Sequence, residues 1–185
     1  QANAITNPCP KCHRQMTKEG TCTHCERLAA NQKTVDSLVA DLDIKGPDGK
    51  SKGWKDRTES LGELEQKTID DIKAANPKMN VDSSVATVNT EQLQHSLNHH
   101  GNAEREAKRG QIAITKDDLK RIPEVLADYD SILPGKGIAD GKNQESVVFR
   151  KKYPDGTVAC VELDVFNDSM KKRTLKFQTM WKEKN

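Results

Sequence analysis

Four of the five cysteines fall within one 17-residue stretch, CPKCHRQMTKEGTCTHC, as Cys9 with Cys12 and Cys22 with Cys25, the two pairs nine residues apart. Each Cys-x2-Cys pair can form a tight knuckle that aims two thiolates at one point, and two knuckles complete a tetrahedral four-sulfur site. Structural zinc uses this ligand set; a pair of disulfides or a redox dithiol are the competing uses of the same residues. Pro8 and Pro10 flank the first knuckle, Gly20 precedes the second, and apolar side chains are scarce around both. A metal must therefore replace a core here, and its removal should unfold the segment. His13 and His24 sit beside the knuckles; with four thiolates at hand they are read as exposed groups or as hydrogen-bond partners outside the site. The expectation for residues 1–30 is a zinc ribbon held by Cys9, Cys12, Cys22 and Cys25. Four basic against two acidic residues in that span are too few to argue for nucleic-acid binding.

The rest of the chain must find its core in a sequence that is 34% hydrophobic and 31% charged, with mean hydropathy -0.84. One core using every residue is not expected, and one or two domains suit this length. The net charge is only +2, but residues 146–182 hold eight Lys or Arg against four acids. That balance suits a phosphate backbone, although a solvated basic surface is the commoner reason for it. No run of about 18 apolar residues predicts a membrane span. No charged-then-apolar leader of the secretory type is visible either. The start at Gln1 rather than Met is read as that of a fragment or a processed product, with any delivery segment outside it.

Residues 26–42 place Leu28, Val35, Leu38, Val39 and Leu42 at the spacing of one helical face. The loop DIKGPDGKSKGWKDR follows. A second helical stripe, Leu61, Leu64, Ile69 and Ile72, is predicted to open near Thr58 or Ser60 and to end before Asn76-Pro77. Residues 31–76 are thus expected to form a helical hairpin, and 77–88 a linker of turn formers and small residues.

From residue 89 the signals sharpen. Asn89 or Thr90 can cap a helix through EQLQHSLNHH, with Gly101 at the place of a left-handed C-terminal cap. AEREAKRG repeats the arrangement, pairing Glu104 with Lys108 and closing at Gly110. Thr115 with Asp118 makes a capping box, and Pro123 can begin a further short helix. Past the glycine-rich PGKGIADGKNQ the period changes to two: SVVFRKKY, TVACVELDVF and RTLKFQTMW read as strands, the first two joined by a PDG turn. The third is predicted to carry Leu175, Phe177, Thr179 and Trp181 on one face, and Cys160 is read as a small buried apolar residue of the second. Short helices followed by an antiparallel β-meander make residues 89–185 an α+β domain.

The histidine cluster LQHSLNHHG at 93–101 lies on the first of those helices. With EAKRGQIAITKDDLKRIPEVLADYD, SVVFRKKYPDGTVACVELDVF and LKFQTMWK after it, it resembles the phage-associated branch of the barnase, EndoU, tRNA-cleaving colicin and RelE-like nucleases. These domains occur as toxin tips of polymorphic toxins and beside phage head-morphogenesis proteins. The resemblance covers about the last half of the chain, and implies a barnase/EndoU-like fold and metal-independent cleavage of RNA, tRNA among the candidate substrates, by general acid/base transesterification. Histidine suits both proton transfers of that chemistry. The family's histidine positions fall on His95 and His100, with His99 as an extra, and its closing strand on Thr179, Trp181 and Lys182. A Trp stands where that motif often has Tyr, so no phenolic hydroxyl is expected. Arg109 is the further catalytic candidate; Arg150, Lys151, Lys152 and Trp181 are the substrate-binding ones; Glu104 and Glu162 are weaker candidates for catalysis. The resemblance further implies action in the cytoplasm of a target or host bacterium, after delivery by phage or secretion, and a cognate immunity protein as partner.

Two other readings stay open. The chain can be a non-catalytic, phage-associated module that binds nucleic acid or protein. His95 and His99, at i and i+4, also have the spacing of two zinc ligands in a hydrolase, but Ser96 stands where HExxH needs glutamate. On a straight helix His95 and His100 differ by about 140° in direction, so they converge only if the helix bends.

Overall fold

The computed structural model describes residues 4–42, 56–136 and 144–185. Most of the loop expected at 43–57 and much of PGKGIADGKNQ lie outside the described residues. The chain runs α1 (Thr23–Ala40), β1 (Thr58–Glu63), α2 (Gln66–Ala75), β2 (Val85–Asn89), α3 (Thr90–His100), α4 (Ala103–Lys108), β3 (Gln111–Ile112), α5 (Lys116–Leu119) and α6 (Ile122–Ala127). It ends with β4 (Ser131–Pro134), β5 (Ser146–Tyr153), β6 (Gly156–Asn167) and β7 (Lys172–Glu183). The strands form one sheet in the order β1-β2-β7-β6-β5-β4, with β3 added on β7. Every pairing is antiparallel except β2 with β7. The α+β class and the β5-β6-β7 meander are those expected from the sequence.

The N-terminal segment begins with the cysteine knuckles, closed by a bridge between Pro8 and Gln15. Cys22 is itself the N-cap of α1, its sulfur accepting the N–H of Cys25. Val35, Leu38, Val39 and Leu42 then enter the same core cluster as Ile122, Val125, Phe149 and Met180. Asn31 donates to the Leu61 carbonyl at 3.0 Å and Gln32 to that of Lys120 at 2.7 Å. The helix after the ribbon is therefore part of the main core.

Two expectations for the middle of the chain are overturned. Residues 58–63 form strand β1, so the second helix opens at Gln66 and the helical hairpin of 31–76 does not form. Gly62, at φ +87° with the Arg27 side chain 3.0 Å from where a Cβ would stand, directly follows Leu61, the extra residue of a bulge against β2. Leu61 reaches the core from this strand. Within the segment 77–88 taken as linker, VATVN is strand β2, buried at every position, with Ala86 and Val88 in the core. Its pairing with β7 through Val85–Thr174 and Thr87–Lys176 is separated by nearly ninety residues of chain, which no local pattern announces.

Directly opposed residues share a face of a sheet. One face carries the rows Val147-Glu162-Phe177, Phe149-Cys160-Met180 and Lys151-Val158-Lys182; the other carries Val148-Val161-Thr179, Arg150-Ala159-Trp181 and Lys152-Thr157-Glu183. The first face holds the core cluster, with Cys160 fully buried in it. The single face expected for Leu175, Phe177, Thr179 and Trp181 is not formed. A bulge at Gln178 leaves Phe177 opposite Glu162 but Thr179 opposite Val161, so the alternation changes phase between them.

Candidate active site

Helix α3 is capped by Asn89, whose side chain accepts the N–H of Gln92. Leu93, Ser96 and His100, at i, i+3 and i+7, form its inward stripe: Leu93 and Ser96 are fully buried and the His100 side chain is 18% exposed. Ser96 Oγ lies 3.3 Å from Thr179 Oγ1, and the His100 ring 6.5 Å from that of Trp181. His95 and His99 occupy the outer side, exposed and with ring centroids 4.1 Å apart. Partial desolvation, then the charges of His99 and His100, hold His95 below its ordinary pKa. Gly101 ends the helix at φ -93°, so the left-handed cap expected there is not formed. Glycine is required for another reason: a Cβ would stand 2.3 Å from the Leu97 carbonyl oxygen.

Asn102 caps α4, which returns toward the end of α3. It delivers Glu106, fully buried, with one carboxylate oxygen 3.1 Å from His100 Nδ1 and the other 2.8 Å from Arg109. Arg109 also donates to the His99 carbonyl at 3.3 Å, and Gly110 closes the helix at φ +71°. Glu104 instead pairs with Lys108 at 3.2 Å on the surface. Glu106 was not among the residues singled out above; its spacing of three before Arg109 is the signal that marks it.

On the sheet, Arg150 grips Glu183 through two hydrogen bonds of 3.0 and 2.5 Å, and Trp181 Nε1 donates to the same carboxylate at 2.8 Å. The Arg150 guanidinium draws the Glu183 carboxyl below its ordinary range. The structure thus brings His100, Arg109, Thr179, Trp181 and Arg150 to one side of the molecule and adds Glu106, Ser96 and Glu183. Lys152 lies on the same sheet face, exposed at its end, its N–H donating to Asp130 at 2.7 Å.

Four candidates lie elsewhere. His95 points to the outside of α3. Lys182 lies on the core face, 5% exposed, paired to Asp118 at 3.2 Å and Asp155 at 2.6 Å. Lys151, also on that face, donates to the Asp128 carbonyl at 2.7 Å. The bulge at Gln178 and the period of two explain Lys182: a residue adjacent to Trp181 faces the opposite way. Glu162 is buried on the core face with no hydrogen-bond partner for either oxygen among the described residues, remote in face from His100.

The four cysteine sulfurs lie within 4.8 Å of one another, the one metal-capable cluster of His, Cys, Asp or Glu among the described residues. Cys9 and Cys25 are 3.7 Å apart and Cys12 and Cys22 3.5 Å. A tetrahedron with metal–sulfur bonds of about 2.3 Å has sulfurs about 3.8 Å apart, so the donor set fits a metal ion. Backbone N–H groups of Cys12 and then Lys11 pull the Cys9 thiol down to about 6. His24 is not aimed at the cluster; it hydrogen-bonds Glu65 at 2.8 Å, and His13 is exposed at φ +61°.

No curated protein and no solved structure matches the chain. A family profile, described as phage-Barnase-EndoU-ColicinE5/D-RelE like nuclease3, matches residues 62–185, from the end of β1 to the last residue, and leaves out the cysteine cluster and α1. With two thirds of the chain inside that match, and with a histidine, a buried carboxylate and arginines gathered on one side of its sheet, this protein belongs to the phage-associated barnase, EndoU, colicin E5/D and RelE-like nucleases.

Proposed function

We propose that the chain is an endoribonuclease toxin domain that cleaves RNA by transesterification without a catalytic metal, with structured RNA such as tRNA as its substrate. The observation that carries the reading is the His100–Glu106 pair, set against the face that holds Thr179, Trp181 and Arg150 in a nuclease-family chain. With Nδ1 donating to Glu106, the Nε2 of His100 is the nitrogen left to take the proton of a ribose 2′-hydroxyl. The 2′-oxygen then bonds to phosphorus as the bond to the 5′-oxygen breaks, the leaving 5′-oxygen takes its proton from solvent water, and Glu106 stabilises the imidazolium formed beside it. Arg150 and Arg109, each already paired to a carboxylate, offer their remaining N–H donors to the phosphate, and Thr179 a hydroxyl hydrogen bond. His95, Lys151 and Lys182 have no part in this assignment, given where their side chains lie.

The four cysteines hold a structural zinc ion in the same reading, replacing the core that their segment lacks. A bacterial cytoplasm is the place of action, and an immunity protein covering the open sheet face is the partner that a producing cell requires. The test is incubation of the purified, metal-loaded protein with total RNA and sequencing of the new RNA ends, beside His100→Ala. New ends that depend on His100 support the reading. Intact RNA at high concentration of folded protein refutes it and leaves the non-catalytic binding module.

A further inference from the structure

The sheet face that carries Thr179 continues beyond the bulge into an open groove of about 470 Å³ that no proposed step uses. This volume lies in the range of small-molecule sites, about 300–1,000 Å³. Gln92 from α3, Asn89 from the end of β2, Lys176 and Gln178 from β7, and Leu163 and Phe166 from β6 line it. Its charged lining residues among the described ones are Lys176 and Asp168, which cancel, so the groove does not suit a phosphate. Neutral amides suit a nucleobase, to whose edge they present donors and acceptors, and an aromatic ring at the rim of the groove offers a stacking surface. Phe166 is 53% exposed, one of the few large apolar side chains left in water among the described residues. Gln92 Oε1 is buried without a hydrogen-bond partner among them.

The bulge gives this groove its place beside the chemistry. Under strict alternation Gln178 and Thr179 would face opposite ways. With Gln178 as the extra residue, it lines the groove together with Thr174 and Lys176, while Thr179 beside it meets Ser96. Bulges commonly re-aim a side chain next to an active site. Resting on the ribonuclease reading above, we infer that this groove is a base-recognition subsite. It takes one unpaired nucleobase flanking the scissile phosphate, with Gln178 and Gln92 reading its edge and Phe166 stacking on its ring. The substrate class is therefore RNA with an extruded or single-stranded base at the cut.

Two measurements on the full chain test it. The first cleaves a randomised single-stranded oligoribonucleotide pool and sequences the ends, for the wild type, Gln178→Leu and Phe166→Ala. Wild type should prefer one base at a fixed position beside the cut, and Gln178→Leu should flatten that preference about tenfold while cleavage continues. Phe166→Ala should lower kcat/KM about tenfold or more for every sequence, since base stacking is lost. The second titrates the His100→Ala protein with each of the four mononucleotides by NMR. Shifts should centre on the groove, with affinity at least tenfold weaker when Gln178→Leu is added. Cleavage with the same base preference in Gln178→Leu overturns the subsite and leaves the nuclease reading standing. A wild type that cleaves nothing, yet binds mononucleotides in the groove, overturns the nuclease reading and leaves the subsite. Absence of groove shifts at millimolar nucleotide overturns the subsite in either case.

Discussion

Glu162 sits fully buried between Val147 and Phe177 on the core face, and neither of its carboxyl oxygens has a hydrogen-bond partner among the described residues. Burial alone pushes its pKa well above the ordinary 4.5, so the folded protein holds it neutral. The unfolded chain ionises it above pH 4.5 and then binds fewer protons than the folded one, so stability falls as pH rises. The loss approaches about 1.4 kcal/mol per pH unit above the unfolded value, until the folded-state titration is reached. The growth between pH 5 and pH 7 is at most about 2.5 kcal/mol, the ceiling for a group that keeps its proton across the whole range. Glu162→Met removes the titrating group at similar volume. The stability gap between the variant and wild type should therefore widen over this range, by up to about 5–10 °C in midpoint for a chain of this size. Urea unfolding at half-unit pH steps measures it, and comparing the two proteins cancels the contributions of every other group. Glu162→Gln should lose the same slope but gain less, since a buried amide is left unsatisfied. Parallel stability curves for Glu162→Met and wild type from pH 5 to pH 8 would refute the reasoning.

Lys182→Met should destabilise the fold by about 1–3 kcal/mol, because it takes one of two cations from the buried Asp118 while Arg121 stays at 3.1 Å, and circular-dichroism melting of the variant would show it. Asp155 is held down to about 2, first by Lys182 and then by Arg121, so its contribution is complete above its ordinary value of 3.8 and is lost as pH falls toward 2. Asp155→Asn should accordingly flatten the acid limb of the stability curve below pH 4, read by the same melting method. Stripping the metal with a strong chelator, or Cys12→Ser, should unfold the segment before α1 while the sheet keeps its amide protection, since the cysteine segment lacks a core of its own; hydrogen exchange with metal analysis separates the two. Glu106→Gln should lower kcat about 10- to 100-fold with little change in KM, the loss of one charge-assisted hydrogen bond, measured on an RNA that the wild type cleaves.

Much of this architecture can be read without coordinates. The caps at Asn89 and Thr115, the Glu104–Lys108 pair and the β5-β6-β7 meander are all observed as the residue pattern predicts, because each depends on residues a few positions apart. β1 and β2 escaped detection for the opposite reason. Leu61 and Leu64 mimic a helical stripe, and the small residues before VATVN disguise a strand whose hydrogen-bond partner on β7 lies far along the chain.

The candidate site divides in the same way. The sequence by itself determined the metal-capable cysteine cluster, whose ligands are close enough in the chain for spacing alone to bring them together, and it narrowed the candidates for proton transfer to a run of six residues in one helix. Only the tertiary structure decided which histidine turns inward. Packing of α3 against β7 selects His100, and the return of α4 places Glu106 behind it. The bulge at Gln178 likewise placed Thr179 and Trp181 on the site's face and Lys182 in the core. Local pattern specifies an element and its period, whereas the phase of that period against the rest of the molecule is set by hydrogen bonds and burial between residues far apart in the chain.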